Sequence, residues 1–334
     1  MIETIALSGI ALVACDAITD RARLEVLLQR VVFGAAFMAL VGDLEATTSY
    51  DLAPYLHFPG LVLNGTLITN GARGTGGFPR VAGTASHYIE FGVVLGMLLP
   101  LALHFAFFSP TRGRRHFNWL LVGIMAIGVP FAVSRAAAIA LVLSMLIIGA
   151  CWTWRARFNA VILAAVGAVG MKAARPGLLG TIRSLFTNAS SDPSISGRTT
   201  DYASSFFYIR QRPWFGRGAG TYLPERYRIL DNQILLTTIE SGVVGLAALI
   251  LVFGGGVALA HRVAKFSPDP ETRHLAYALV AVFVVGFATS FTFDSLSFPI
   301  FATVLFLGLG VTGALWRLDQ PRRHSTRLNA PSAV

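Results

Sequence analysis

Two stretches near the C-terminal end fix the solvent that this chain must fold in. Leu275 to Phe293 and Ser295 to Trp316 contain no Asp, Glu, Lys or Arg, and only Asp294 separates them. Each is long enough to cross a bilayer, which takes about 20 apolar residues in a helix. Ser241 to Ala260 is a third uncharged run, and Phe91 to Thr111 is broken only by His104. His116 to Ser134 and Ala136 to Trp154 flank a lone Arg135, and Phe158 to Met171 is shorter. Near the start, Thr4 to Cys15 and Val26 to Gly42 are weaker, the second holding Arg30. The runs are too long for barrel strands, which alternate over about 10 residues. Of the 334 residues only 13% are charged and 54% are hydrophobic, against about 25% charged in a soluble domain. A soluble enzyme, a disordered chain and a secreted disulfide scaffold are excluded. The expected fold is an all-α polytopic transmembrane bundle of about nine spans in one membrane domain over residues 1–334. Its largest loop is expected to carry short amphipathic helices.

Orientation follows from Lys and Arg in short loops. Arg112, Arg114 and Arg115, then Arg155 and Arg157, then Arg262, Lys265 and Arg273, and a tail over 317–334 with Arg317, Arg322, Arg323 and Arg327 fall on one side if the spans alternate. That side is expected to be cytoplasmic. A loop over 43–90 and a large loop over 172–236 then lie outside. Cys15 and Cys151 sit far apart in apolar runs and read as core residues.

The large outer loop breaks the charge pattern. From Lys172 to Asp231 it holds nine basic residues against four acidic ones, a net +5. Long loops escape the charge rule, so this is either a solvated basic loop or a site for an anion such as phosphate or diphosphate. Asn188 to Gly197 is polar and turn-rich, and Thr199 to Gln211 has the spacing of an amphipathic helix at the interface. Arg212-Pro-Trp-Phe-Gly-Arg-Gly-Ala-Gly220 reads as a loop whose glycines let backbone N–H groups approach a ligand. Trp214 and Phe215 read as interfacial anchors ahead of sugar-stacking residues. Arg212 and Arg217 are candidate substrate contacts. Arg135, alone between two apolar runs, reads as a snorkelling residue or as a site residue aimed at the same face.

Asp231-Asn232 before an apolar run reads as a helix cap, or Asp231 serves as a carboxylate that takes a proton from a hydroxyl. Glu240 falls two to three turns further along that helix. Asp294 reads as a structural cap. In the other loop, Pro54 to Gly60 and Arg80 to Phe91 stand out. His87 and Glu90 share a helix face there, and His87 reads as a polar helix start or as a substrate contact beside Arg80. The sequence offers no HExxH, no paired cysteines, no Walker loop and no Rossmann fingerprint, so neither metal nor nucleotide cofactor is implied.

These residues carry a resemblance. Arg80-Val-Ala-Gly-Thr, Ser134-Arg135-Ala-Ala-Ala, Ser196-Gly-Arg198, Arg212-Pro-Trp-Phe-Gly-Arg-Gly and Asp231-Asn-Gln to Glu240-Ser-Gly-Val-Val-Gly245 follow in order from about Arg80 to Leu315. The chain resembles the O-antigen ligase and O-antigen polymerase superfamily of bacterial polyprenyl-diphosphate glycan transferases. The Asp-Asn-Gln form, with Gly-Thr-Ala-Ser-His, looks most like the actinobacterial members. The resemblance implies transfer of a glycan from a polyprenyl diphosphate carrier to an acceptor hydroxyl on the outer face of the bacterial plasma (inner) membrane, without metal or nucleotide. Its partners are then the lipid-linked donor, a glycan or lipid acceptor and membrane lipid, with no nucleic acid. It aligns Arg135 and Arg198 with diphosphate-binding arginines. It puts Asp231 where many ligases have a catalytic His followed by Asn, here matched by Asn232. Asp231, Arg198 and Arg135 are thus the expected catalytic residues. Arg80, Arg212, Arg217, Asn232, Glu240 and His87 are the expected substrate contacts. A flippase for lipid-linked glycans and a catalytically inactive relative are the competing readings.

Overall fold

The computed structural model describes residues 2–48, 50, 52, 55, 78–187, 193–223 and 226–328, with the side chains of 2–3, 193–201 and 321–328 excepted. Every regular element longer than one turn among them is an α-helix: α1 Ile2–Ala17, α2 Arg21–Thr48, α3 Tyr88–Phe107, α4 Arg112–Phe131, α5 Arg135–Ala150, α6 Trp154–Ala174, α7 Leu178–Thr187, α8 Pro193–Gln211, α9 Gln233–Phe266, α10 Pro270–Thr289 and α11 Pro299–Leu328. Six of these, α2, α3, α6, α9, α10 and α11, are long and apolar enough to cross a membrane, and Thr4–Ala17 and Arg135–Ala150 are shorter apolar helices. The all-α membrane bundle expected from the uncharged runs is what the chain forms.

Caps move several boundaries from where hydropathy alone puts them. Thr111 accepts the Arg114 N–H at 3.3 Å and Thr153 accepts the Ala156 N–H at 3.4 Å. Arg112, Arg114, Arg115, Arg155 and Arg157 therefore lie in the first turns of α4 and α6 instead of in loops. The helix expected from Thr199 begins at Pro193. Proline suits the first helical turn, where its missing N–H has no intrahelical partner to lose. The Pro54–Gly60 motif, apart from Tyr55, and the run Asn188 to Asp192 lie outside the described residues.

α3 is the axis of the bundle: almost all of its side chains are buried, against α2, α4, α5, α10 and α11. Small residues permit the close approaches. A Cβ on Gly96 would come within 2.7 Å of the Ala140 Cβ on α5, and one on Gly256 of α9 within 2.5 Å of the Phe283 ring on α10. α6 has no buried residue.

Cross-helix hydrogen bonds define two ends. At one, Arg317 donates to the carbonyls of Cys15 and Ile18 at 2.7 and 2.6 Å, and Ser267 donates to Asp319 at 2.6 Å. Trp152 Nε1–H donates to His274 Nε2 at 3.0 Å there, and His274 Nδ1 meets His104 Nδ1 at 3.3 Å. With its Nε2 accepting, His274 carries its proton on Nδ1 and donates to His104. The other end, the loop end, gathers the last turns of α2, α4, α6 and α10 and the first turns of α3, α5, α9 and α11. The rest of the chemistry lies there.

Candidate active site

The start of α9 is locked to the turn between α10 and α11. Asn232 caps the helix, its side chain accepting the Leu235 N–H at 3.1 Å and donating to the Phe291 carbonyl at 3.3 Å. The Gln233 N–H reaches the carbonyls of Ser290 and Phe293 at 2.9 and 3.1 Å. The Gln233 side chain accepts the Leu296 N–H at 2.8 Å. These bonds set Asp231, one residue before the cap, beside Asp294, one residue after Phe293. Burial, with a smaller contribution from the negative charge of Asp231, pushes the Asp294 carboxyl up to about 6 against the lowering effect of a hydrogen bond from Ser297. The sequence gives both aspartates, but their pairing depends on contacts some 60 residues apart, which no local pattern records. The sequence assigns Asp294 only to a cap; the structure adds that the charge of a second carboxylate, Asp231, reaches it.

A second cluster forms at the start of α3. His87 caps the helix, its Nδ1 accepting the Ile89 N–H at 3.2 Å, so a neutral ring carries its proton on Nε2. The ring lies 4.0 Å from Tyr88 and 5.7 Å from Phe298, centroid to centroid. Burial, helped by the Arg80 charge, lowers the His87 pKa to about 4, so the ring is neutral at neutral pH. Arg80 stacks 4.6 Å over the Tyr88 ring and donates to its hydroxyl at 2.5 Å. The Arg80 Nε is buried with no hydrogen-bond partner. Arg80, His87 and Tyr88 present donors. The nearby Glu90 is fully buried and its oxygens are engaged: one accepts the Ser86 N–H and hydroxyl at 3.1 and 2.7 Å, the other the Ile300 and Phe301 N–H groups at 2.8 and 3.2 Å. Glu90 is thus the cap of α11, satisfying donors that a helix start leaves open.

Arg135 opens α5 from a strained turn. Val133 has φ +44°, a left-handed conformation costly for a β-branched residue. Ala137 and Ala140 then pack against Gly92 and Gly96 of α3, which accounts for these two small residues after Arg135. Arg135 Nε donates to the Leu185 carbonyl of α7 at 2.6 Å. On the other side of the turn, the Val81 N–H donates to the Phe131 carbonyl at 3.2 Å. Arg80 and Arg135 therefore flank one turn, a link invisible at their sequence separation.

The glycine-rich loop is joined to α9. α9 breaks at Gly242, with φ +67° and ψ −163°. The loop splices into the break. The Val243 and Val244 N–H groups donate to the carbonyls of Pro213 and Trp214 at 2.8 and 3.2 Å. In return, the Arg217 and Gly218 N–H groups donate to the carbonyls of Ile239 and Glu240 at 3.0 and 2.8 Å. Two of the loop N–H groups, those of Arg217 and Gly218, are thus engaged by α9, and that of Gly216 donates to the Arg212 carbonyl within the loop. Gly216 and Gly242, both at positive φ, press their Cα atoms onto the opposing backbone, where no Cβ would fit. Glu240 accepts the Tyr222 N–H at 3.0 Å. Arg217 sits 4.8 and 5.2 Å over the rings of Tyr208 and Tyr227 and donates to the Tyr227 hydroxyl at 3.0 Å. Arg217, Glu240 and Asn232 are thus built into the scaffold. Arg212 is exposed at the loop's start. Arg198 lies on α8, and its side chain is outside the described ones. Among the described residues, no three His, Cys, Asp or Glu side chains gather as a metal ion would require.

Residues 120–250 match the family model described as O-antigen ligase. The matched stretch contains Arg135, Arg198, the spliced loop and Asp231, and the resemblance read from the sequence holds across it. No curated protein matches the chain.

Proposed function

We propose that this chain, O-antigen ligase-like over residues 120–250, transfers a glycan from a polyprenyl diphosphate carrier to an acceptor hydroxyl at the outer face of the plasma membrane. The observation that carries the reading is the gathering at one end of an apolar bundle of an aspartate pair, Asp231 and Asp294, and two arginine-bearing elements, Arg80 and Arg135, joined through the Val81–Phe131 bond. Asp231 takes the proton from the acceptor hydroxyl. The acceptor oxygen forms a bond to the anomeric carbon, the bond from that carbon to the diphosphate oxygen breaks, and the electron pair leaves with the diphosphate. Arg135, Arg80 and Arg198 stabilise the charge that develops there, as fixed guanidinium groups do for phosphate oxygens. Asp294 keeps a proton at mildly acid pH and sets the charge that Asp231 feels. Because the acceptor oxygen, activated by Asp231, displaces the diphosphate directly, the displacement inverts the anomeric centre.

The test uses purified protein with polyprenyl-diphosphate glycan from the host, following release of free polyprenyl diphosphate. Release by the wild type, lost in Arg135→Ala and in Arg198→Ala while both still insert in membranes, supports the reading. Undiminished release in both variants refutes the arginine assignment. Movement of labelled lipid across the vesicle with no release favours a flippase instead. A product that keeps the donor's anomeric configuration removes the inverting step.

A further inference from the structure

Trp214 and Phe215 are among the most exposed large apolar side chains in the molecule, at 67% and 77%. They are nonetheless held rigidly, because their backbone is spliced into the break of α9. The two residues that receive it, Val243 and Val244, are themselves 46% and 49% exposed. They begin an exposed apolar stripe that continues along α9 through Ile250 and Leu251. The splice thus fixes the aromatic pair beside the first turn of α9's uncharged run, Ser241 to Ala260. Just before the pair in sequence come Arg210 and Arg212, both exposed. An apolar stripe on a spanning helix, met at its end by exposed aromatic rings, with exposed arginines just before them in the chain, offers the groups suited to acyl chain, interface and phosphate. Exposure of this size is unfavourable in water and ordinary at that boundary.

We propose that the loop Pro213–Gly218 is a fixed bilayer anchor. Trp214 and Phe215 sit at the acyl–headgroup boundary of the leaflet at the loop end, and Arg210 and Arg212 contact the phosphates of anionic phospholipids there. Because the loop is joined to α9 by four backbone hydrogen bonds, the anchor holds α8 and the basic segment down on the membrane surface, where a lipid-linked diphosphate would lie. The inference rests on α9 as a membrane span and not on glycan transfer, so either can fail alone.

The chain has five tryptophans, so the test takes the difference between wild type and Trp214→Phe, each full-length in vesicles of phosphatidylcholine with or without phosphatidylglycerol. The emission assigned to Trp214 should be quenched by lipids brominated near the headgroup and spared by iodide in the aqueous phase. Phosphatidylglycerol should enhance the brominated-lipid quenching, and Arg210→Gln with Arg212→Gln should remove that enhancement. Phe215→Trp in the Trp214→Phe background gives a second reporter if the first variant folds poorly. Quenching by iodide with no effect of brominated lipid overturns the proposal. So does shielding from both, which would mean the pair is covered by protein. Lipid quenching that ignores phosphatidylglycerol overturns the arginine contacts.

Discussion

Asp294→Asn should make this protein more stable above pH 6 and its stability less dependent on pH. Burial raises the Asp294 pKa from 3.8 to about 6. A group whose pKa is higher in the folded chain binds its proton more tightly there than when unfolded. Its contribution to stability is fully present below the unfolded value, near pH 3.8, and is lost as pH rises through about 6. At about 1.4 kcal/mol per pKa unit, the full swing is about 3 kcal/mol. Residual solvent around a half-buried turn residue reduces that to roughly 1–2 kcal/mol. Asparagine keeps the shape and removes the ionisation, so the variant should gain this amount at pH 8 and match the wild type near pH 4. The assay is unfolding in mild detergent, titrated with a denaturing detergent at several pH values between 4 and 8. Parallel wild-type and variant curves across that range would falsify the reasoning. Because Asp231 adds to the shift, Asp231→Asn should move the wild-type transition to lower pH.

Asp231→Asn should slow glycan release while leaving donor binding intact, and unchanged turnover would leave Asp231 as part of the helix start alone. Gly242→Ala should open the splice, since its backbone, at φ +67° and ψ −163°, lies in a region open almost only to glycine and costs another residue roughly 1–3 kcal/mol before any clash; protease cutting between α8 and α9 should rise, and unaltered cutting argues against the splice. Glu90→Ala strands the Ile300 and Phe301 N–H groups, each worth about 1–3 kcal/mol when buried, while the donors of the exposed Ser86 can turn to water; Glu90→Gln keeps one acceptor oxygen. The order of stability in detergent should be wild type, then Gln, then Ala, and an alanine variant as stable as wild type refutes Glu90 as the cap of α11.

Some of the site could be read in the sequence because its signals are local. Asp231-Asn232 announces a helix start from two adjacent residues, and the structure makes Asn232 the cap. Arg135 stands out because nothing charged lies near it in the chain. Other assignments could not be read that way. The glycines of Arg212 to Gly220 signal close backbone approach without naming the partner; for Gly216 and Gly218 a partner is α9. Glu90 looks like a surface carboxylate at a helix start, yet it is buried and capped onto a helix more than 200 residues away. Arg217 looks like a free cation and is held among tyrosines.

The sequence by itself determined the solvent and the class of fold, since runs of about 20 apolar residues must make their own hydrogen bonds in lipid and only helices do so within one segment. It also determined where the excess of arginine lies. Only the tertiary structure decided which arginines and carboxylates meet. It paired Asp231 with Asp294 and joined Arg80 to the turn of Arg135. It repaired a broken helix with a distant loop. Each of these rests on backbone groups brought together across long stretches of chain, and hydrophobic periodicity carries no record of which ends come to lie side by side.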